Sequence, residues 1–375
     1  NRSASRLIDG CQQLALALDG TAADNHGAPS ETVRCAPSQA AVTPLRSDAM
    51  GTGAWLRDSA LALLNGAFGD HLERQHSALA TPMTVRHQGK ALSLNGSALA
   101  AALPHASGRL CLFIHGLACT EWTFSYDAER LYADPCVNYG TLLARDLGMT
   151  PLYLRYNSGR HISHNGQQLA RVLQQLVDHY PVPIDELVLI GHSMGGLLAR
   201  SACYYGPHDG WVKKLRRVIC LGSPHLGAPL EQASHMLSLV LRSIDTMGTQ
   251  IPGHILNARS SGIKDLRFGY ILDEDWLGAS AEACDDRSRR DVPFVEHADY
   301  YFVAGTISED PSSTMATLLG DVLVRPKSAA GVHQRPLRSI PFAAERGATA
   351  AGLSHLRLAN HPLVYQHMVR WCRAP

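Results

Sequence analysis

The feature that most constrains this chain is the run Glu186-Leu-Val-Leu-Ile-Gly191-His192-Ser193-Met194-Gly195-Gly196-Leu-Leu-Ala-Arg200. Leu187 to Ile190 is an unbroken apolar segment of the kind that forms a strand buried on both faces of a parallel sheet. After Ser193, the stretch Gly195-Gly196-Leu197-Leu198-Ala199 reads as the start of a helix packed closely on that sheet. Gly-x-Ser-x-Gly between a strand and a helix predicts a turn so tight that the serine backbone is strained and its hydroxyl is pushed into the open. Glycine is needed two residues to either side, because a Cβ there would collide with the neighbouring strand or helix. In a chain with 32 glycines the five-residue pattern alone carries little. The strand before it and the helix after it supply the weight.

From Leu110 onward the pattern alternates between strand and helix, the signature of a mostly parallel α/β sheet flanked by helices. Leu110 to His115 is a strand, Tyr139 to Leu147 a helix and Thr150 to Tyr156 a strand. Residues 162–180 are a helix, with Leu169, Val172, Leu173, Leu176 and Val177 on one face. Val218 to Gly222 and Tyr300 to Gly305 are further strands, and Leu356 to Trp371 is a closing helix. Upstream, Met83 to Leu94 alternates across Gln88-Gly89-Lys90 and predicts a hairpin at an antiparallel edge. Thr52 to Ser77 reads as one or two helices punctuated by Gly66 and Gly69. The expected organisation is an N-terminal helical extension over 1–82 and an α/β domain over 83–375. An excursion over about 229–299 is placed as a lid above the carboxyl ends of the strands. Its segment Glu231 to Met247 reads as a helix with a broad apolar face, which would equally suit core packing.

Composition narrows the function classes. With 45% apolar and 18% charged residues, the 375-residue chain has ample material for a core. A net charge of +1 gives no reason to expect nucleic acid or an acidic membrane surface as partner. No apolar run approaches the roughly 18 residues that a membrane span needs. The nine cysteines are scattered without Cys-x-x-Cys spacing, which argues against a zinc site and favours buried thiols in a reducing compartment. Cys119 and Cys136 bracket a loop and could be bridged, although the composition favours free thiols. The expected location is cytoplasmic. The numbering opens at Asn1 without a methionine, which leaves room for a leader removed before it.

A serine hydroxyl is a weak nucleophile until a base takes its proton and a carboxylate orients that base. For an elbow of this kind the acid and then the histidine follow the serine along the chain. Asp321, in Gly320-Asp321-Val-Leu-Val324, is the candidate acid, with Asp310 and Glu345 as rivals. His355, just before the closing helix, is the candidate base ahead of His333, His361 and His367. The backbone N–H groups of Met194 and Leu117 are the candidate oxyanion donors. Gly116 lets the chain approach the substrate, His115 orders that loop, and His192 supports the serine. No metal or cofactor is expected.

Together, His115-Gly116-Leu117, Gly191-His-Ser-Met-Gly-Gly196 and Ser223-Pro-His-Leu-Gly-Ala-Pro229 resemble the α/β-hydrolase lipases and esterases. Gly320-Asp321-Val-Leu-Val324 and Ser354-His355-Leu356 extend the likeness to the acid and base. The segment from Gly222 to Pro229 is similar to the Thr-Pro-His-x-Gly-Ser segment of bacterial lipases and inositol-deacylase-like esterases. Val322 departs from the glycine that many of those lipases carry after the acid. Leu356-Arg357 stands where some of them place an aspartate serving a calcium site. The resemblance implies a serine hydrolase acting on a small-molecule or lipid-like ester through an acyl-enzyme. An acyltransferase or thioesterase would use the same parts, and a non-catalytic binding scaffold is the reading from a different class.

Overall fold

The computed structural model describes residues 52–228, 260–277, 289–308 and 324–373. The strands, in chain order, are β1 (Thr84–His87), β2 (Lys90–Ala91), β3 (Arg109–Ile114), β4 (Thr150–Arg155), β5 (Glu186–His192), β6 (Leu215–Leu221), β7 (Asp299–Thr306) and β8 (Gly347–Ala351). They form one sheet in the order β2-β1-β4-β3-β5-β6-β7-β8. The hairpin turns through Gln88 and Gly89, both at positive φ, and β1 lies antiparallel to β4 at one edge. Every other pairing is parallel. This is the mostly parallel sheet expected from the alternating pattern, and its arrangement is the α/β-hydrolase fold that the motif resemblance implies.

The main helices are α1 (Thr52–Arg74), α2 (Gly96–Ala102), α3 (Tyr139–Leu147), α4 (Ile162–His179), α5 (Met194–Tyr205), α6 (Ser261–Phe268) and α7 (Pro362–Arg373). They cover both faces of the sheet, so successive strand residues feed two different cores. Leu110, Leu112 and Ile114 of β3 join α4 and α5 residues such as Leu169, Leu173 and Leu198. Cys111 and Phe113 point the other way, into a core shared with Leu143, Met368 and Trp371. A fully buried leucine or isoleucine contributes about 1.5–3 kcal/mol relative to exposure. A one-residue slip of β3 or β5 would exchange the two sets, so their register is fixed from both sides.

Several boundaries differ from the sequence reading. Helix α1 runs unbroken through Gly66 and Gly69, because these glycines permit close contact and do not end the helix. A Cβ on Gly66 would lie 2.6 Å from Ala118 Cβ, and one on Gly69 would lie 1.8 Å from Asn157 Oδ1. Strand β8, Gly-Ala-Thr-Ala-Ala, has no strong β-former signal and is made by pairing along β7. The closing helix begins at Pro362, after a separate 3-10 turn over His355–Ala359. No disulfide joins Cys119 to Cys136.

The expected lid helix Glu231 to Met247 lies outside the described residues. The described middle of the excursion, 260–277, is docked on the body. Ser260 Oγ donates to Gly66 O at 2.7 Å, and Asp265 Oδ2 accepts the Ile162 N–H at 2.8 Å. Ser201 Oγ donates to Ile271 O at 2.6 Å. Ile263 and Leu266 enter a third core with Leu63, Ala67, Leu117, Met194 and Leu197.

A buried ion cluster ties α1 to the sheet edge. Arg155, at the end of β4, meets Glu121 through Nε at 2.8 Å and Asp58 of α1 through Nη2 at 2.6 Å. Arg86 of β1 reaches the same Glu121 at 2.7 Å. Glu121 is fully buried, so removing Arg155 strips two carboxylates of a cation they cannot replace with water. Arg155→Met is expected to cost about 3–5 kcal/mol in urea unfolding. A loss below about 1 kcal/mol would mean that the cluster behaves as a solvated surface pair.

Candidate active site

At the end of β5, Ser193 adopts φ 55° and ψ −123°, a conformation that a residue with a side chain rarely holds. Two backbone bonds hold it there: its N–H donates to Leu221 O at 2.8 Å, and its C=O accepts from the Gly196 N–H at 3.1 Å. The flanking glycines are obligatory for the expected reason. A Cβ on Gly191 would come within 2.3 Å of Gly196 N, and one on Gly195 within 2.1 Å of Ile114 O. Both obstacles are backbone, which a rotamer change cannot relieve. Met194 opens α5, and the first amides of a helix have no acceptor within it.

The loop after β3 passes over this turn. A Cβ on Gly116 would sit 3.0 Å from Ser193 Cβ, and the next residue, Leu117, shares the third core with Met194. Ala118, at φ 56°, donates its N–H to Ser158 Oγ at 2.9 Å. His115 fixes the start of the loop. Its Nδ1 lies 2.8 Å from Gly116 O, its Nε2 faces the Tyr156 N–H at 3.4 Å, and its ring stacks on Tyr156 at 4.4 Å. This network assigns the proton to Nδ1, and burial pushes the pKa down to about 3. His115 is therefore a neutral, loop-ordering residue.

His355 stands at the start of its 3-10 turn and is 1% exposed. It packs on Gly222, which follows the Leu221 carbonyl that holds Ser193. A Cβ on Gly222, whose φ is 59°, would lie 3.2 Å from His355 Nδ1. His192 joins the two sides of the site. Its Nε2–H donates to His355 O at 3.0 Å and the two rings lie 4.8 Å apart. Its Nδ1 has no partner and lies 3.5 Å from the Cβ position of Gly116. Burial first, and the neighbouring His355 second, push the His192 pKa down to about 3.

Ser193, His355, His192, Met194, Gly116, Leu117 and His115 thus lie together at the carboxyl end of the sheet. Asp321 and its rival Asp310 lie outside the described residues. Glu345 is exposed, in a turn before β8. The rival histidines have ring partners elsewhere: His333 Nδ1 accepts the Arg335 N–H at 2.9 Å, His361 Nδ1 accepts the Leu363 N–H at 3.2 Å, and His367 packs on Trp371 at 5.7 Å. Gly222, Tyr156 and Ser158 were not singled out from the sequence. Their signal was their place just past the ends of β6 and β4, where such sheets assemble sites.

The family model for the PGAP1-like alpha/beta domain matches residues 105–280, just under half of the chain. No curated protein matches. Among solved structures, the mature form of the Bacillus licheniformis lipase BlEst2 is similar at 17% identity and a TM-score of 0.48, covering 78% of this chain and 98% of that one. Aspergillus fumigatus lipase B is similar at 12% identity and a TM-score of 0.41, over 74% of this chain and 57% of its own. A thermophilic esterase from Thermogutta terrifontis stands at 14% and 0.38, over 72% and 90% respectively. Likeness at this level carries no information about substrate.

The buried histidines make the fold acid-labile. His115, His192 and His225 are held neutral by burial, the first two at about 3 and the third well below its usual value. Unfolding frees each to take up a proton once the pH falls below about 6.5. The unfolded state then binds more protons, so stability falls with pH, by up to about 1.4 kcal/mol per pH unit for each histidine. The carboxyls of Asp265 and Asp275, raised by burial, pull the other way in the lower part of this window. Urea midpoints are expected to drop steeply from pH 6.5 to 5, and less steeply in His192→Gln. Constant midpoints over that range would contradict the neutral assignment.

Proposed function

We propose that this chain, an α/β-hydrolase by strand order and elbow geometry, is a serine hydrolase that cleaves carboxylic esters. The observation that carries the reading is the strained Ser193, held against Leu221 with His355 packed on the adjoining Gly222. A backbone conformation this costly persists only where the surroundings enforce it, and the imidazole packed on the glycine after Leu221 is the proposed base for its hydroxyl. The PGAP1-like match, which spans Ser193 and Gly222, supports the reading.

In this proposal His355 takes the Ser193 proton as the hydroxyl oxygen attacks the ester carbonyl. The N–H groups of Met194 and Leu117 receive the developing oxyanion, where prepositioned donors lower the barrier most. His355 then delivers the proton to the leaving alcohol, leaving an acyl-enzyme that water hydrolyses by the same route in reverse. Asp321 is proposed to orient His355 and to stabilise its imidazolium. His192 contributes indirectly, by holding the His355 backbone through its carbonyl. A neutral His192 also adds no positive charge beside the imidazolium as it forms.

The test is hydrolysis of p-nitrophenyl esters of graded chain length. Ser193→Ala is expected to lower kcat by roughly 10⁴-fold or more, and Asp321→Asn by a smaller but still large factor. Full activity in Ser193→Ala, or no turnover of any ester by folded wild type, would overturn the reading.

A further inference from the structure

The segment Ser223 to Pro229 and the Arg200 that ends the elbow run have no part in the chemistry above. Arg200 lies two helical turns beyond Ser193 on α5, about 10 Å along the axis. It is 4% exposed, and among the described residues its guanidinium makes one hydrogen bond, from Nη1 to His225 Nδ1 at 3.4 Å. Its buried Nε has no acceptor. Because the His225 Nδ1 accepts, its proton sits on Nε2, and that buried donor has no acceptor either. His225 is fully buried. The walls are aromatic: Phe294 lies under the guanidinium at 5.7 Å, and Phe342 lies 5.0 Å from the His225 ring.

Among the described residues, no carboxylate acts on this cation. The charged or titratable groups that act on Arg200 are Cys203, Cys220, Tyr300 and Arg289. Burial holds the two thiols at about 11 and 12 and pushes the Tyr300 phenol far above neutrality, so all three are uncharged at pH 7. Arg289 acts on Arg200 as a like charge and has the Asp275 carboxylate acting on it in turn. A guanidinium does not shed its proton in a protein, and a buried ion without a partner is among the costliest arrangements a core can hold. Donors without acceptors, around a cation without an anion, describe the protein half of an anion site. With Arg200 at 4% exposure and His225 at none, the place is closed to a substrate-sized group.

We propose that the chain carries a buried site for a small monovalent anion, of which chloride is the simplest, on Arg200 beside His225. The anion neutralises the core behind the nucleophile helix and gives the orphaned N–H groups their acceptor. It is a structural ligand, separate from the reacting ester.

Thermal unfolding at constant ionic strength, with gluconate progressively replaced by chloride, tests this in the intact chain. Wild type is expected to gain roughly 5 °C in Tm, rising with the logarithm of chloride concentration once this exceeds the Kd. Arg200→Met keeps the apolar stem and removes the charge, and is expected to show no such gain. Arg200→Lys keeps the charge and is expected to show a weaker one. Should Arg200→Met fail to fold, wild-type crystals grown in bromide give the answer through an anomalous peak beside Arg200 Nε. An equal gain in Arg200→Met, or neither a chloride response nor a bromide peak in wild type, would overturn the proposal.

Discussion

Everything at this site depends on one backbone conformation, that of Ser193. A side-chain-bearing residue at φ 55° and ψ −123° lies outside the comfortable regions of L-residues, so it stays there only because its neighbours leave no alternative. Backbone on every side enforces it: Leu221 O takes its N–H, and Gly191 and Gly195 let helix α5 and strand β3 approach to distances that a methyl group would forbid. The two apolar cores that lock the register of β3 and β5 fix these contacts in turn. Folding free energy is thereby converted into the position of a single hydroxyl.

The histidines divide by environment. His115 and His192 are sealed in places where a charge would be costly, and they act as neutral struts whose hydrogen bonds set the loops on either side of Ser193. His355 also lies deep, but at the head of a short turn, where its ring packs on Gly222 and its carbonyl is held by His192. The same residue type supplies scaffold and proposed base, and surroundings decide which.

The elements legible in the sequence were those whose cause is local. The elbow, the Tyr139–Leu147 helix with its Asn138 cap, and the hairpin turn at Gln88-Gly89 are written in adjacent residues. His355 followed from chain order. Strand β8 was not legible, because Gly-Ala-Thr-Ala-Ala becomes a strand only through β7. Gly66 and Gly69 misled for a related reason, since each answers to a loop about fifty to ninety positions away in the chain. The Arg155 cluster and the Arg200–His225 pair are likewise long-range: nothing beside Asp58 or Arg200 in the chain announces the partner.

The most direct measurement is intact-mass and peptide-mapping analysis after brief exposure to a fluorophosphonate, which reacts with an activated serine without demanding a particular ester. The account predicts a single adduct on the peptide containing Ser193, forming at neutral pH and slowed by orders of magnitude in His355→Ala. Labelling at another serine, or none on folded protein, would contradict the claim that the strained turn presents an activated nucleophile.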